Sequence, residues 1–356
     1  MAFVSGLEGV VAAETVLSEV DGEAGRLTLR GHRLQDIVGR RSLEWLTCEL
    51  WRGFVPGHLS EASLRRDLGL MRIDVFHAIA PLLDAAARLA PIEALRLLAA
   101  AIPDTADDLP LRLTATMATG LAAVLRVRAH AAPVPPDPAL GHVADLLRML
   151  RGTPAQPDEV AALETYLLTA ADHGLNASTF TARVVASTAA GLASSVTAAL
   201  CALKGPLHGG APGPVIDMLD AIGQPENAEP WLDAAVARGD RLMGFGHRIY
   251  RVTDPRSDIM KRVVQSLGRD SGRLHFAEHI EQAALAVLAK RKPARSLQTN
   301  LEFYTALLLE ALQIPRDAFT GIFAAARVIG WIAHALEQTT EARLIRPQSR
   351  YIGPTP

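Results

Sequence analysis

The chain has 356 residues, 49% of them apolar and 21% charged, which excludes wholesale disorder and, at ~150 residues per domain, allows about two domains. Its 36 Lys and Arg against 38 Asp and Glu leave a net charge of -2, so no global basic field points to nucleic acid or an anionic membrane. Two cysteines, Cys48 and Cys201, support neither a disulfide framework nor a Cys-rich zinc site and are expected to be buried thiols. The N-terminal stretch lacks the basic and long apolar regions of a secretory signal. The apolar run at 185–203 is rich in Ala, Ser and Thr and reads as a buried helix, not a membrane span. A cytoplasmic protein is expected.

Ala, Leu and Arg recur with helical spacing while alternating β-branched runs are nearly absent, so the class is mainly α. Near the start, 11–17 and 25–29 predict two short strands around Asp21-Gly22. Helices are predicted at 43–51, 64–89 with a break at Pro81, 92–101, 112–130 and 140–150. The Pro-rich run 131–138 reads as a surface connection inside one domain. Next, 182–204 reads as one long helix ended by Gly205-Pro206, and another helix follows Pro212-Gly213-Pro214, with Leu207-His208-Gly209-Gly210 between them. Further helices are predicted at 230–241, 256–267, 276–290, 303–312 and 319–337.

Nucleotide-loop motifs fail. Gly244-Phe-Gly246 lacks a third glycine at the right place, and there is no Gly-Lys-Ser/Thr loop. His275 and His279 match an H-x-x-E-H spacing, but no third metal ligand is evident. More informative are His173 in ADHGLNAST, His208 in GPLHGG and His247 in GFGHR. The glycines beside the last two let backbone and ligand approach closely, which a packing histidine does not require. The N-terminus of the helix after His208 is expected to lower the pKa of that imidazole. Arg256 follows Asp254-Pro255, Arg346 precedes Pro347, and Arg327 lies in the apolar run IFAAARVIGWIAHAL. A buried guanidinium needs a carboxylate, from protein or ligand. Glu302 in TNLEFY has aromatic neighbours that would raise its pKa and suit it to act as a base.

These residues sit in motifs that resemble the citrate synthase family. GLEGVVAAET and GRLTLRG come first, then ADHGLNASTFTARVVAST, GPLHGG, GFGHRIYRVTDPRSDIMK, NLEFY, the IP-x(3)-FT start of the Phe319 helix, ARVIGWIAHALEQ and RLIRPQSRYIGP, in order from Gly6 to Pro354. The resemblance implies a two-domain helical fold, with 1–209 and 316–356 forming a large domain and 210–315 a smaller mobile one. It implies a Claisen-type condensation of acetyl-CoA with oxaloacetate, followed by thioester hydrolysis to citrate and CoA. His208 then matches the donor to the thioester carbonyl, His247 the group that polarises the oxaloacetate carbonyl, and Glu302 the base. His173, Arg256, Arg327 and Arg346 match oxaloacetate ligands, with Arg346 crossing a homodimer interface, and Arg251 matches a CoA-phosphate contact. No metal and no tightly bound cofactor are implied.

Two positions depart from the family pattern. Glu302 stands where Asp is usual, a reach longer by about 1.5 Å, and Pro212 stands where Asn is common. The competing readings are a 2-methylcitrate synthase using propionyl-CoA, a catalytically silent paralogue that binds CoA or a dicarboxylate, and a metallohydrolase at His275 and His279.

Overall fold

A computed structural model describes residues 4–56, 60–210, 212–269, 271–293, 295 and 297–354. An N-terminal antiparallel sheet of β1 (Ser18–Asp21), β2 (Arg26–Leu29) and β3 (His32–Arg33) precedes the helices. The predicted first strand at 11–17 is displaced to β1. The turn sets this register: Asp21 accepts from the Ala24 N–H at 2.8 Å and from Arg26 at 2.8 Å, which pairs Asp21 with Arg26. Val11 and Val16 are 85% and 62% exposed, so their apolar pattern marks no core-facing strand.

Helices follow in order: α1 (Leu34–Ile37), α2 (Leu43–Trp51), α3 (Glu61–Ile79), α4 (Leu83–Ala86), α5 (Pro91–Ala100), α6 (Leu109–Arg128), α7 (His142–Arg151) and α8 (Pro157–Ala170). Then come α9 (Ala177–Ala186), α10 (Leu192–Leu203), α11 (Pro212–Ile222), α12 (Ala228–Ala237), α13 (Pro255–Leu267), α14 (Ser271–Arg291), α15 (Leu301–Ala311) and α16 (Phe319–Glu341). The mainly α class is as predicted. The sequence reading had no helix for α8, which starts with Pro157 and a Gln156–Glu159 capping box.

The predicted long helix at 182–204 is two helices, α9 and α10. Asp104 supplies the second N-cap from outside, accepting from Ala193 N at 2.7 Å and Ser194 N at 3.2 Å. A Cβ on Gly191, whose φ is +107°, would overlap that carboxylate at 2.2 Å. Cys48 is buried as expected, but Cys201 is exposed. The buried stripe of α10 runs through Ala193, Val196, Ala199, Leu200 and Leu203, and Cys201 lies off it.

The core is built around α16, against which α2, α5, α6, α8, α9 and α10 all pack. It is the one helix among the described residues long and apolar enough to span a membrane, but 89% of its apolar window is buried inside the protein. The helices α11 to α15 pack largely on one another and meet the rest through α8 and α16.

Candidate active site

The site grows from helix ends. The chain leaves α8 through Asp172 and His173, turns at Gly174 with φ +59°, and enters α9 under the cap of Asn176, which accepts from Thr179 N at 3.1 Å. His208 sits on a tight turn after α10, closed by its own N–H on Gly205 O at 2.9 Å and by Gly209 N on Leu203 O at 3.0 Å. Glycine is required at 209, because a Cβ there would lie 2.4 Å from Leu203 O. The buried Ser178 reaches His208 Nε2 with its hydroxyl at 2.8 Å and its backbone N–H at 3.4 Å. A backbone N–H only donates, so Nε2 is an acceptor and the imidazole proton lies on Nδ1.

Gly244 and Gly246, at φ +87° and +84°, carry His247. This segment is stitched to the residues before α15: Gly246 N donates to Gln298 O at 2.7 Å and Asn300 N to Gly244 O at 2.9 Å. The Asn300 side chain donates to Gly246 O at 3.0 Å and accepts from Glu302 N at 3.1 Å. One side chain therefore caps α15 and ties Glu302 to the loop of His247.

His247 Nδ1 accepts from the N–H groups of Ile249 at 3.0 Å and Tyr250 at 3.2 Å, which leaves its proton on Nε2. Nε2 lies 3.3 Å from Arg256 Nη2. Both groups are donors, so they converge on a point suited to an anionic or carbonyl oxygen. Arg256 is itself held by Asp254, the N-cap of α13, through Nε at 3.0 Å and Nη2 at 2.8 Å.

Arg327 differs. It is buried, donates Nε to Ala170 O at 2.6 Å and lies 4.8 Å over the Phe323 ring. Among the described residues it makes no ion pair. Burial lowers its pKa to about 10, with Asp172 opposing.

Burial is also the main force on the other titratable groups. It holds His208 and His247 down to about 4 each, with Arg327 adding to the first and Arg256 to the second. The His208 pKa is lowered, as expected, and burial and a nearby cation are the causes. His173 is driven down by burial and by Arg256, His247 and Arg327. Glu302 is half-buried, and burial raises its pKa against the pull of Arg256. Its Oε2 is buried without a hydrogen-bond partner among the described residues. All these imidazoles are neutral donors at pH 7, beside a carboxylate that binds a proton more readily than usual.

The chain matches the family described as citrate synthase, C-terminal domain, over residues 6–348. It belongs to the citrate synthase family. Citrate synthase of Haloferax volcanii is 38% identical over 98% of this chain and 95% of its own length. 2-Methylcitrate synthase of Mycobacterium tuberculosis is 37% identical, covering 98% and 90%. The ternary complex of citrate synthase from Thermoplasma acidophilum with carboxymethyl coenzyme A and oxaloacetate superposes with a TM-score of 0.90 at 28% identity, covering 100% of this chain and 97% of that one.

Of the residues that the citrate synthase resemblance singled out, the fold brings six into one electrostatic cluster. The charge of Arg327 acts on His208 and His173, those of Arg256 and Glu302 act on Arg327, and that of Arg256 acts on His247. Arg346 is not among them within one chain. It is exposed on the extended segment after α16. Arg251 is also exposed, its backbone N–H donating to Gly22 O at 3.0 Å. Pro212 is the first residue of α11. His275 and His279 are exposed on α14, the intervening Glu278 is engaged by Gln265 at 3.0 Å, and no group of three potential metal ligands exists among the described residues.

Sequence reasoning passed over Tyr250. It is 2% exposed, with its ring centroid 4.7 Å from that of His247 and 5.5 Å from that of His173. A rare aromatic inside GFGHRIYR, next to the predicted histidine, was the available signal.

Proposed function

We propose that the chain is a citrate synthase-type acyltransferase that condenses acetyl-CoA with oxaloacetate and hydrolyses the product thioester to citrate and CoA. The observation that carries this reading is the buried guanidinium of Arg327, which makes no ion pair among the described residues, beside neutral imidazole donors and Glu302. A small dicarboxylate supplies a direct ionic partner, and a forked guanidinium matches it in geometry.

The chemistry follows from the proton positions. Glu302 takes a proton from the thioester methyl while Nδ1–H of His208 stabilises charge growing on the thioester oxygen. The resulting carbon nucleophile attacks the oxaloacetate ketone, whose oxygen receives the Nε2–H of His247. Arg256, Arg327 and His173 hold the carboxylates, and a partner copy supplies Arg346 in a homodimer. Water then cleaves the thioester and releases CoA, with Arg251 contacting a CoA phosphate. In this reading 210–315 is the smaller domain and closes over the rest, 1–209 and 316–356, to exclude water before the carbon–carbon bond forms. No metal or tightly bound cofactor takes part, and the enzyme works in the cytoplasm.

Free-thiol release tests this, with oxaloacetate, acetyl-CoA and propionyl-CoA each omitted in turn. Release that needs oxaloacetate supports a condensing synthase. Release without it indicates a plain thioesterase, and none with either donor favours the silent binding paralogue. Because one relative above is a 2-methylcitrate synthase, the same assay ranks the acyl donors. One methylene in an apolar pocket changes discrimination by about 1–3 kcal/mol, and a clear propionyl-CoA preference would reassign the substrate.

A further inference from the structure

Tyr250 stands where three predicted dicarboxylate ligands meet. Its hydroxyl is 3.2 Å from His173 Nε2, its ring faces His247, and Arg256 Cζ lies 5.7 Å from the ring centroid. A phenol hydroxyl both donates and accepts, so this hydrogen bond holds for either tautomer of His173. The backbone N–H of Tyr250 fixes the tautomer of His247. We propose that Tyr250 is a positioning residue of the dicarboxylate site: its hydroxyl bridges the 247–254 loop to His173, so that His173, His247 and Arg256 form one preset cradle.

The loop does not depend on this hydroxyl for its place. Arg251 N donates to Gly22 O at 3.0 Å, and a Cβ on Gly22 would stand 2.3 Å from Ile249 O, so the turn between β1 and β2 already presses on the loop from outside. Tyr250→Phe keeps the ring packing and removes only the O–H, so the variant is expected to fold.

The inference rests on the dicarboxylate reading of the site, and its test separates the two. In steady-state thiol release, Tyr250→Phe is expected to raise KM for oxaloacetate about three- to tenfold, the range of one neutral hydrogen bond. kcat and KM for the acyl-CoA stay within about twofold. On a His173→Asn background the same change is expected to cost nothing further, because it acts through that ring. Equal losses in both backgrounds, an unchanged oxaloacetate KM, or a fall in Tm and kcat with both KM values rising together would overturn the proposal. Nitrogen-15 NMR of the unliganded protein gives a substrate-free reading. The His173 Nε2 signal is expected to shift in Tyr250→Phe, and an unshifted signal refutes the bond. Should the parent protein neither turn over nor gain stability with oxaloacetate, the functional reading falls while the NMR arm still decides the Tyr250–His173 contact.

Discussion

Replacing Arg256 and Arg327 separately by Met should cripple the same step while moving stability differently. Both guanidiniums are buried, at 4% and 2% exposure, and both are assigned to the dicarboxylate. Arg256 is bound by the buried Asp254. Its removal leaves a carboxylate without its counter-ion, a change that typically costs about 3–5 kcal/mol. Arg327 is held down to about 10 by burial, and at ~1.4 kcal/mol per pH unit its charge weakens the unliganded fold by about 3 kcal/mol. Against that relief, Met leaves Ala170 O unpaired, about 1–2 kcal/mol, and loses the Phe323 contact, about 1 kcal/mol. The net change for Arg327→Met is therefore close to zero, within about 1 kcal/mol, several kcal/mol more favourable than for Arg256→Met. Urea unfolding of the unliganded proteins reads this difference. Thiol-release kinetics should show both variants losing about 30- to 1000-fold in kcat/KM for oxaloacetate, the value of one or two charge-assisted hydrogen bonds. Equal destabilisation by more than ~2 kcal/mol would mean that Arg327 is a structural charge and refute the argument from its missing partner.

Acid should destabilise the fold early. His142 sits at about 3 and His208 and His247 at about 4 in the folded chain, so below the ordinary 6.5 only the unfolded chain gains their protons. Stability should fall as pH drops from about 6.5 toward 4, by up to ~1.4 kcal/mol per pH unit for each histidine, and a urea midpoint unchanged between pH 7 and 5 would contradict this. Gly330→Ala should be strongly destabilising, because a Cβ there meets Ala171 O at 2.4 Å and the Asp172 carboxylate at 3.0 Å; a Tm within a degree of the parent would refute it. Thiol release should survive EDTA treatment unchanged, whereas loss of activity restored by zinc would revive a metal role for His275 and His279.

The sequence made the helices legible wherever the signal was local. The α2 bounds agree because Ser42 caps the helix and accepts from Trp45 N, and the break near Pro81 is proline chemistry. The split of 182–204 was hidden because Asp104, its cap, is 89 residues away. Cys201 misled because composition does not say which face of α10 turns inward. In the site, the glycines around His208 and His247 betrayed close backbone approaches, and Arg327 stood out as a charge in an apolar helix. Tyr250 was lost between Ile249 and Arg251, both exposed, although it is buried and packs near His247, His173 and Arg256, of which His173 is far from it in sequence and Arg256 is on α13. Equally hidden was the buried chain from Arg183 to His334 at 3.1 Å, with His334 Nε2 3.2 Å from Asp172, which sets a carboxylate near Arg327. Its members lie far apart in sequence and none breaks a local rule.

The departure at Glu302 is decided by what holds its backbone. Asn300 both caps α15 and grips Gly246 O, while Leu301 N donates to Asp254 at 3.3 Å. A Cβ on Gly244 would meet Phe303 at 2.9 Å, so the loop and the helix start already touch. The backbone at 302 cannot retreat to make room for a longer acid. The side chain must therefore carry the added reach, and its Oε2 lies in a buried spot without a hydrogen-bond partner among the described residues. Shortening it by Glu302→Asp withdraws the carboxylate by about 1.5 Å, and a misplacement of this size costs roughly a hundredfold in rate. The expected result is a kcat about 100-fold lower with both KM values within about threefold, measured by thiol release at saturating oxaloacetate. A kcat equal to or above the parent's would mean that the frame is built for the shorter acid and that Glu302 works from a displaced position.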